Sequence, residues 1–464
     1  MHGRAKEQSE IDSEKEIVET STVQAMGKNK YGNVIQNELQ EKLNSNTGEG
    51  KTEVIDDGDT LVVKFINSRR YYEVDNDGNV ESIEVIVDAY AGDLTKGGRC
   101  DGSEEKPFEI NCIEDLVEFS IATNGGNNFS GKYVILIRTL DFNSIFSYND
   151  FTITKYGDLN TNGVIEDIKT ELTMKDDNCL GFAPINTFQG NFDGQGNEIQ
   201  NIYINRDGKA AFIIMNNSLV SAENIKNLGI TGNITSKNNF AAGIMVSDTA
   251  GSKGANIIEN CYNKANVKTV SGITVAGICV GSGMTINNCY NEGNITNEAN
   301  SSGQAGGIVA GAGGENIENC YNTGDITGIK GTWYVGGIAS GHGNKKTTIK
   351  NCYNTGKITG GVICAGGILG NNGEIIENCY NTGDVSQGGR NGGIVGHIAE
   401  EIYNCYNTGK VSGRVEVVSD GITELSESEI KNNISFIETL NNNIGENSEW
   451  KRWKMGDDGY PTFE

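Results

Sequence analysis

Histidine, positive charge and long apolar runs are all scarce in this chain, and each shortage excludes something. Only three histidines occur in 464 residues: His2, His342 and His397. The last two lie in loops after glycine-rich strands, with no serine or cysteine beside them in a nucleophile setting, which argues against histidine-based catalysis. Lysine and arginine number 37 against 62 acidic residues, a formal net charge of −25. A surface of that sign repels phosphate backbones, so nucleic acid is not an expected partner. No apolar run is long enough to span a bilayer as a helix. The eleven cysteines include no Cys-x-x-Cys pair, which removes the usual zinc spacing.

What the chain has in abundance is a repeat. The string Ile-x-Asn-Cys-Tyr-Asn begins at Ile258, Ile286, Ile317, Ile349, Ile376 and Ile402. Its cysteines, Cys261, Cys289, Cys320, Cys352, Cys379 and Cys405, are spaced by 28, 31, 32, 27 and 26 residues. A period in that range marks a stacked repeat. A turn and a β-branched residue follow each core, as in Thr323-Gly324-Asp325-Ile326, and most units add Gly-Gly-Ile about ten residues later, as at Gly336-Gly337-Ile338. Short β-branched runs parted by Gly and Asn read as strands and tight turns, and no helical periodicity competes. The pattern predicts a mainly β fold, a parallel β-helix with three short strands per coil.

Two degenerate copies upstream orient the unit. Ile199–Ile204 and Ile225–Ile230 place Ile202 or Leu228 in the cysteine slot and Ile204 or Ile230 in the second asparagine slot. Alternation along a strand then puts the cysteine inward and the tyrosine outward. The first Ile and the Cys are three apart, which requires a bend at the intervening Asn, a residue that tolerates the left-handed region. With these copies the count is about eight coils, a rod on the order of 35 Å long. The repeated cysteines are expected as a buried thiol ladder, with disulfides between coils as the alternative. The second asparagines, Asn263 through Asn407, are expected to bond amide to amide along the stack. Tyr262, Tyr290, Tyr321, Tyr353, Tyr380 and Tyr406 are expected as an exposed ladder, either merely stacked or serving as an aromatic platform for glycan or protein.

The chain divides by pattern into residues 1–92, 93–195, 196–422 and 423–464. In the first, Ala5–Met26 and Val34–Leu43 read as exposed helices, Thr60–Phe65 and Arg70–Val74 as strands, and Asp75–Asn79 as a turn. The second reads as a cap before the solenoid, with strands at Pro107–Ile110 and Lys132–Ile137 and a helix at Ile113–Thr123. Within it, Asp158, Asn160 and Asn162 precede Gly163 as in the start of a calcium loop. Lys169 occupies the twelfth position, where a glutamate belongs, and Asp167 is the available substitute. The alternatives are a calcium ion on Asp158, Asn160, Asn162 and Asp167, or metal-free Asx turns. No other cofactor is expected.

Residues 4–32 and 62–80, notably Arg70-Tyr71-Tyr72-Glu73-Val74-Asp75-Asn76-Asp77-Gly78-Asn79-Val80, resemble the soluble part of type IV pilin-like proteins of Gram-positive bacteria. That family starts with a prepilin leader and a hydrophobic helix, which this sequence does not show. From residue 80 onward, Phe192-Asp193-Gly194-Gln195-Gly196, each Asn-Cys-Tyr-Asn core, each Gly-Gly-Ile and the run Trp453 to Thr462 resemble bacterial surface proteins with GLUG repeats. Such repeats also accompany the protease domain of some IgA proteases, but no His-Glu-x-x-His motif is present here. The resemblance implies a right-handed β-helix stalk, secreted or displayed at the cell surface, without enzymatic activity. It also implies a host or environmental glycan or surface protein as partner, and pilus-like assembly. The rival expectations are a carbohydrate-active β-helix enzyme and a minor pilin-like filament subunit.

Overall fold

The computed structural model describes residues 93–142, 180–215, 224–247, 257–415 and 420–464, apart from 301, 312, 330, 342–344 and 448, and the backbone of strand segments between residues 20 and 81. Two compact units result, one of residues 1–126 and 134–183, the other of 127–133 and 184–464.

In the first unit, Thr20–Gly27 and Thr52–Asp57 both pair antiparallel with Thr60–Ile66. The helix expected over Ala5–Met26 is therefore wrong from Thr20 on. Thr20, Thr22 and Val23 are β-branched, and pairing to a neighbouring strand supplies hydrogen bonds that an isolated polar helix lacks. The rest of that segment and Val34–Leu43 lie outside the described residues. Glu73–Val74 pairs with Val80–Glu81 across the expected turn, rather than with Thr60–Ile66. Further on, Phe108–Ile110 runs parallel to Tyr133–Leu136, and helix α1 spans Ile113–Asn124. Leu116 and Phe119 of α1 are fully buried, as are Ile110, Val134 and Leu136. Beneath α1, Lys96 Nζ donates to Asp115 Oδ2 at 2.6 Å, and Asn111 N–H donates to the same oxygen at 2.8 Å. Both charged side chains are almost wholly buried, a geometry that survives only because each charge has a partner.

The second unit contains the solenoid, a parallel β-solenoid of about eight turns. Equivalent residues of successive coils pair one-to-one. Ile225, Ile258, Ile286, Ile317, Ile349, Ile376 and Ile402 form one column. Tyr262-Asn263 pairs with Tyr290-Asn291 and so on to Tyr406-Asn407. Val267, Ile295, Ile326, Ile358 and Val385 form the next column. Val275, Ala305, Val335 and Ala365 build the fourth, and Met245, Cys279 and Val309 the fifth. The coils starting at Ile258 and Ile286 thus have five short strand segments, not three, and in the next three coils the fifth shrinks to single bridges at Ala339, Leu369 and Val395. One extra break falls at the Gly-Ile stretch, between Ala276 and Cys279 for example, and the other comes from the bend inside the repeat core: Asn227, Asn260, Asn288, Asn319, Asn351, Asn378 and Asn404 all have φ between 51° and 54°. This is the left-handed bend expected at that asparagine, and it turns both the first Ile and the Cys inward.

Register corrects one upstream copy. Ile225–Ile230 aligns as expected, with Gly229 opposite Tyr262 and Ile230 opposite Asn263. Ile199–Ile204 does not: Phe192 pairs with Ile225, Ile199 with Ile230, and Ile204 with Ile234. The first coil's core is therefore Phe192–Ile199, with its own left-handed bend at Gln195 and Gly196. Asn201 also has a positive φ, but it serves a different corner, and its N–H donates to Thr231 Oγ1 at 2.9 Å.

The interior is narrow and continuous. The column isoleucines from Ile258 to Ile376 and the Gly-Gly-Ile isoleucines Ile278, Ile308, Ile338, Ile368 and Ile394 are fully buried. Each contributes about 2 kcal/mol by area removed from water. The six repeat cysteines are also fully buried and are free thiols, as expected from Leu228 in the same slot. Each Sγ donates to the carbonyl two residues earlier, as Cys320 does to Glu318 at 3.0 Å, and Cys320 N–H meets Cys352 Sγ at 3.3 Å. Burial pushes the Cys289, Cys352 and Cys405 thiols well above their ordinary range, which keeps them protonated and unreactive.

Cys320→Ser should therefore cost only about 1 kcal/mol, because a hydroxyl can still donate to Glu318 O and the defect stays within neighbouring coils. Asn322→Ala should cost more, about 2–3 kcal/mol, because it strands the partners of a buried amide. Equilibrium unfolding in urea ranks the two; a costlier serine variant would refute this reading.

Candidate functional site: the tyrosine and asparagine face

The inner asparagines set the geometry of this face. Asn263 Nδ2 donates to Asn291 Oδ1 at 2.7 Å, Asn291 to Asn322, Asn322 to Asn354, and Asn354 to Asn381, all at 2.7 Å, and Asn381 to Asn407 at 2.9 Å. The second hydrogen of each amide goes to the carbonyl two residues on, such as Gly324 O from Asn322 at 2.8 Å. Asn407, at the end of the ladder, donates to Glu424 Oε2 at 2.7 Å. These side chains are fully buried and fully used, as the repeat predicts.

The same ladder explains the Gly-Gly-Ile signal. A Cβ on Gly337 would lie 1.9 Å from Gly367 O and 2.6 Å from Asn354 Cγ, and the contact recurs in every coil from Gly243 to Gly393. The second glycine is the floor on which the amide lies.

Outward from the bend, the tyrosines stack. Ring centroids are 4.8 Å apart for Tyr262–Tyr290, 4.7 Å for Tyr290–Tyr321 and Tyr321–Tyr353, and 5.0 Å for Tyr353–Tyr380, with planes within 6° of parallel. The ring faces are thus spent on one another. At the first end, Tyr262 lies over Gly229, where a Cβ would fall 2.3 Å from the ring, and its hydroxyl donates to Glu198 Oε1 at 2.5 Å. Burial works against ionisation of Glu198, yet bonds from Tyr262 and Gln200 hold its carboxyl below the ordinary range. Lys264 Nζ sits 5.3 Å from the Tyr262 centroid and pairs with Glu292 at 3.3 Å.

The expectation of an exposed ladder is corrected for most of its length. After Ile422–Glu424 continues the last coil, helices α2 (Glu427–Ile430) and α3 (Ile434–Ile444) and the hairpin Trp453–Met455/Pro461–Phe463 fold back along the tyrosines. Ser426 and Glu429 form a capping box at α2, and Asn433 caps α3 through Ser435 and Phe436 N–H. Trp453 packs 5.7 Å from Tyr353 and 5.6 Å from Tyr380, Phe463 lies 5.5 Å from Tyr353, and Phe436 meets Tyr406 edge-on at 5.0 Å. Tyr380 is fully buried and Tyr353 only 4% exposed. Tyr353 hydroxyl meets Thr462 Oγ1 at 3.0 Å, and Tyr380 hydroxyl donates to Pro461 O. Tyr262 and Tyr290 remain half-buried and uncovered by this segment.

The outer asparagines hold the same segment by its backbone. Asn319 Nδ2 donates to Glu449 O at 3.0 Å and Asn319 Oδ1 accepts Lys451 N–H at 2.8 Å. Asn351 Nδ2 donates to Lys451 O at 2.9 Å, and Asn351 Oδ1 accepts Trp453 Nε1–H at 2.8 Å. The sequence gives these asparagines only a conformational reason; their second role appears once the C-terminal segment folds onto them.

Asp158, Asn160, Asn162 and Asp167 lie outside the described residues. Among the described residues no group of three or more His, Cys, Asp or Glu is arranged to hold a metal ion. His397 Nδ1 is bonded to Asn371 Oδ1 at 3.1 Å. One buried carboxyl departs from the structural pattern. Glu315 Oε2 accepts from Thr347 Oγ1 at 2.6 Å, and Oε1 has no partner among the described residues.

The GLUG motif model matches residues 301–327 and 331–359. Each match begins near a Gly-Gly-Ile strand and ends on the Ile-Thr strand of the next column. The chain carries the GLUG motif on a parallel β-solenoid. A crystal structure from Bacteroides ovatus, of a protein provisionally named an immunoglobulin A1 protease, is similar over 79% of this chain and 94% of that one, at 21% identity and a TM-score of 0.47. No curated protein matches the sequence.

Two measurements test this site. Trp453→Ala should cost about 3–5 kcal/mol by leaving a cavity against Tyr353 and Tyr380. Hydrogen exchange should then rise in 427–463 and in the strands at Tyr321 to Tyr380, with the coils before Tyr262 unchanged; uniform loss of protection would show that the cap is not a separate layer. Burial raises the Glu315 carboxyl above its ordinary range. The native state then binds this proton more tightly than the unfolded chain, so the contribution of Glu315 to stability falls as pH rises from the ordinary carboxylate range. Glu315→Gln should stabilise at pH 7 and do little at pH 4; the opposite order in thermal melts would refute it.

Proposed function

We propose that this protein is a non-enzymatic stalk, displayed at the cell surface or secreted, whose repeats serve as a spacer. One observation carries the reading: the repeated polar and aromatic side chains are consumed by the stack itself. The inner asparagines bond to one another and to backbone, the thiols donate to carbonyls, and the tyrosine faces cover one another. Glycoside hydrolysis needs two carboxyl groups at a set separation, and the repeat core carries only Glu259, Glu318 and Glu377, never on adjacent coils, with Glu377 paired to Lys350 at 3.8 Å. The glycan platform first expected of Tyr262 to Tyr406 is also disfavoured here, because a sugar stacks on a ring face and these faces are taken.

The acidic composition suits display, since a net charge of −25 keeps copies apart in solution. Residues 1–92, with their pilin-like pattern, are the segment we assign to attachment.

Protease treatment of intact producing cells should remove the protein; protection until lysis would end the surface assignment. Incubation with a panel of common polysaccharides should release neither reducing nor unsaturated sugar, and release of either would overturn the non-enzyme reading.

A further inference from the structure

The C-terminal segment occupies only part of a surface that continues beyond it. On the fifth and sixth coils, an extended backbone is read by outer asparagines: one amide donates to Glu449 O and accepts Lys451 N–H, and the next donates to Lys451 O. Trp450 and Trp453 of that segment are buried. On the third and fourth coils, Asn260 and Asn288 stand at the same bend, with the same φ, beside the same stacked tyrosines. There the surface is open: Asn260 is exposed and Asn288 half-buried, whereas Asn319, Asn351 and Asn378 are 2%, 0% and 0% exposed.

The open asparagines retain bonding capacity. Asn260 Nδ2 donates to Asn227 Oδ1 at 3.0 Å and Asn288 Nδ2 to Asn260 Oδ1 at 2.6 Å, one hydrogen of each amide. Asn319 donates to Asn287 Oδ1 rather than to Asn288, so Asn288 Oδ1 accepts from no described group. Asn288 therefore presents a free donor and a free acceptor, the pair that Asn319 uses on Glu449 and Lys451. Charge favours a basic occupant. Glu198 and Glu292 flank the two rings, Lys264 is their nearby cation, and the segment bound in cis reads Trp450-Lys451-Arg452-Trp453-Lys454.

We propose that the Asn260–Asn288 and Tyr262–Tyr290 stretch binds an extended, basic, tryptophan-bearing segment of another polypeptide, gripped by its backbone as Glu449–Trp453 is gripped on the adjacent coils. The recognition is continuous with the existing cap interface and adds backbone bonds to a side-chain pocket, the logic of extended-peptide binding. It does not depend on the stalk reading, since the open coils are present whatever the rod carries.

The probe is a labelled synthetic peptide of residues 447–456, titrated against the full chain by fluorescence anisotropy. We expect one peptide per chain, weakened by added salt. Asn260→Gly with Asn288→Gly keeps the left-handed backbone and deletes both amides, and should weaken binding at least tenfold in a variant whose circular dichroism shows the coils still folded at the assay temperature. Trp450→Ser and Trp453→Ser in the peptide should weaken it similarly. Undiminished binding to the double glycine variant would overturn the proposal, because the peptide would then be displacing the cap or sitting elsewhere. So would no binding at millimolar peptide. Self-association of the chain that the glycine variant abolishes but excess peptide does not compete away would assign the surface to a different face of a second copy, and glycan binding abolished by the same variant would assign it to sugar; either defeats the peptide reading.

Discussion

The buried amide ladder from Asn263 to Asn407 is the constraint on which the solenoid rests. Each amide bonds to the next coil and to the turn that follows it, so no donor is left for water to satisfy inside the rod. Two glycine positions follow from it. The second Gly of Gly-Gly-Ile is needed because the amide lies against its backbone, and the Gly after Tyr-Asn-Thr because its Cβ would fall about 2 Å from a carbonyl of the preceding coil. Asparagine and both glycines are therefore one packing unit. This is why motifs ten residues apart in sequence recur together.

The bend that admits the ladder also creates the outer face. A left-handed residue between Ile and Cys turns both inward and leaves the asparagine side chain at the corner. The following tyrosine stacks at the coil spacing. A bare column of aromatic edges along a rod is an association hazard. The chain covers it over four coils with a helix pair and a hairpin built around Trp453, Phe463 and Phe436. The cap therefore lies along the side of the rod, where it also bonds the corner asparagines, and at its start Glu424 closes the end of the amide ladder.

The proposed spacer role rests on what this arrangement leaves over. A repeat whose polar groups are mutually satisfied has high stability and little chemistry, which suits a spacer. Spare capacity among the described polar groups includes Glu315 Oε1 and Asn224 Oδ1 inside the coils, Trp450 Nε1 in the cap, and the outer asparagines of the third and fourth coils outside.

The sequence by itself determined the class of fold, the direction of the cysteines, the left-handed asparagine and the amide ladder. All four follow from residues one strand apart repeated at a fixed period, where identical neighbours force identical geometry. It mislocated the first coil, because Ile199–Ile204 matches the core by residue type while Phe192 takes the column position, and only backbone pairing decides between them. It also read Thr20–Met26 as helix, since the partner strand at Thr60–Ile66 is distant in the chain. Above all, the fate of the tyrosines was a tertiary matter. Their stacking was legible in the repeat, but their burial depends on Trp453 and Phe463, which meet Tyr353 from about a hundred residues away through contacts that no local period encodes.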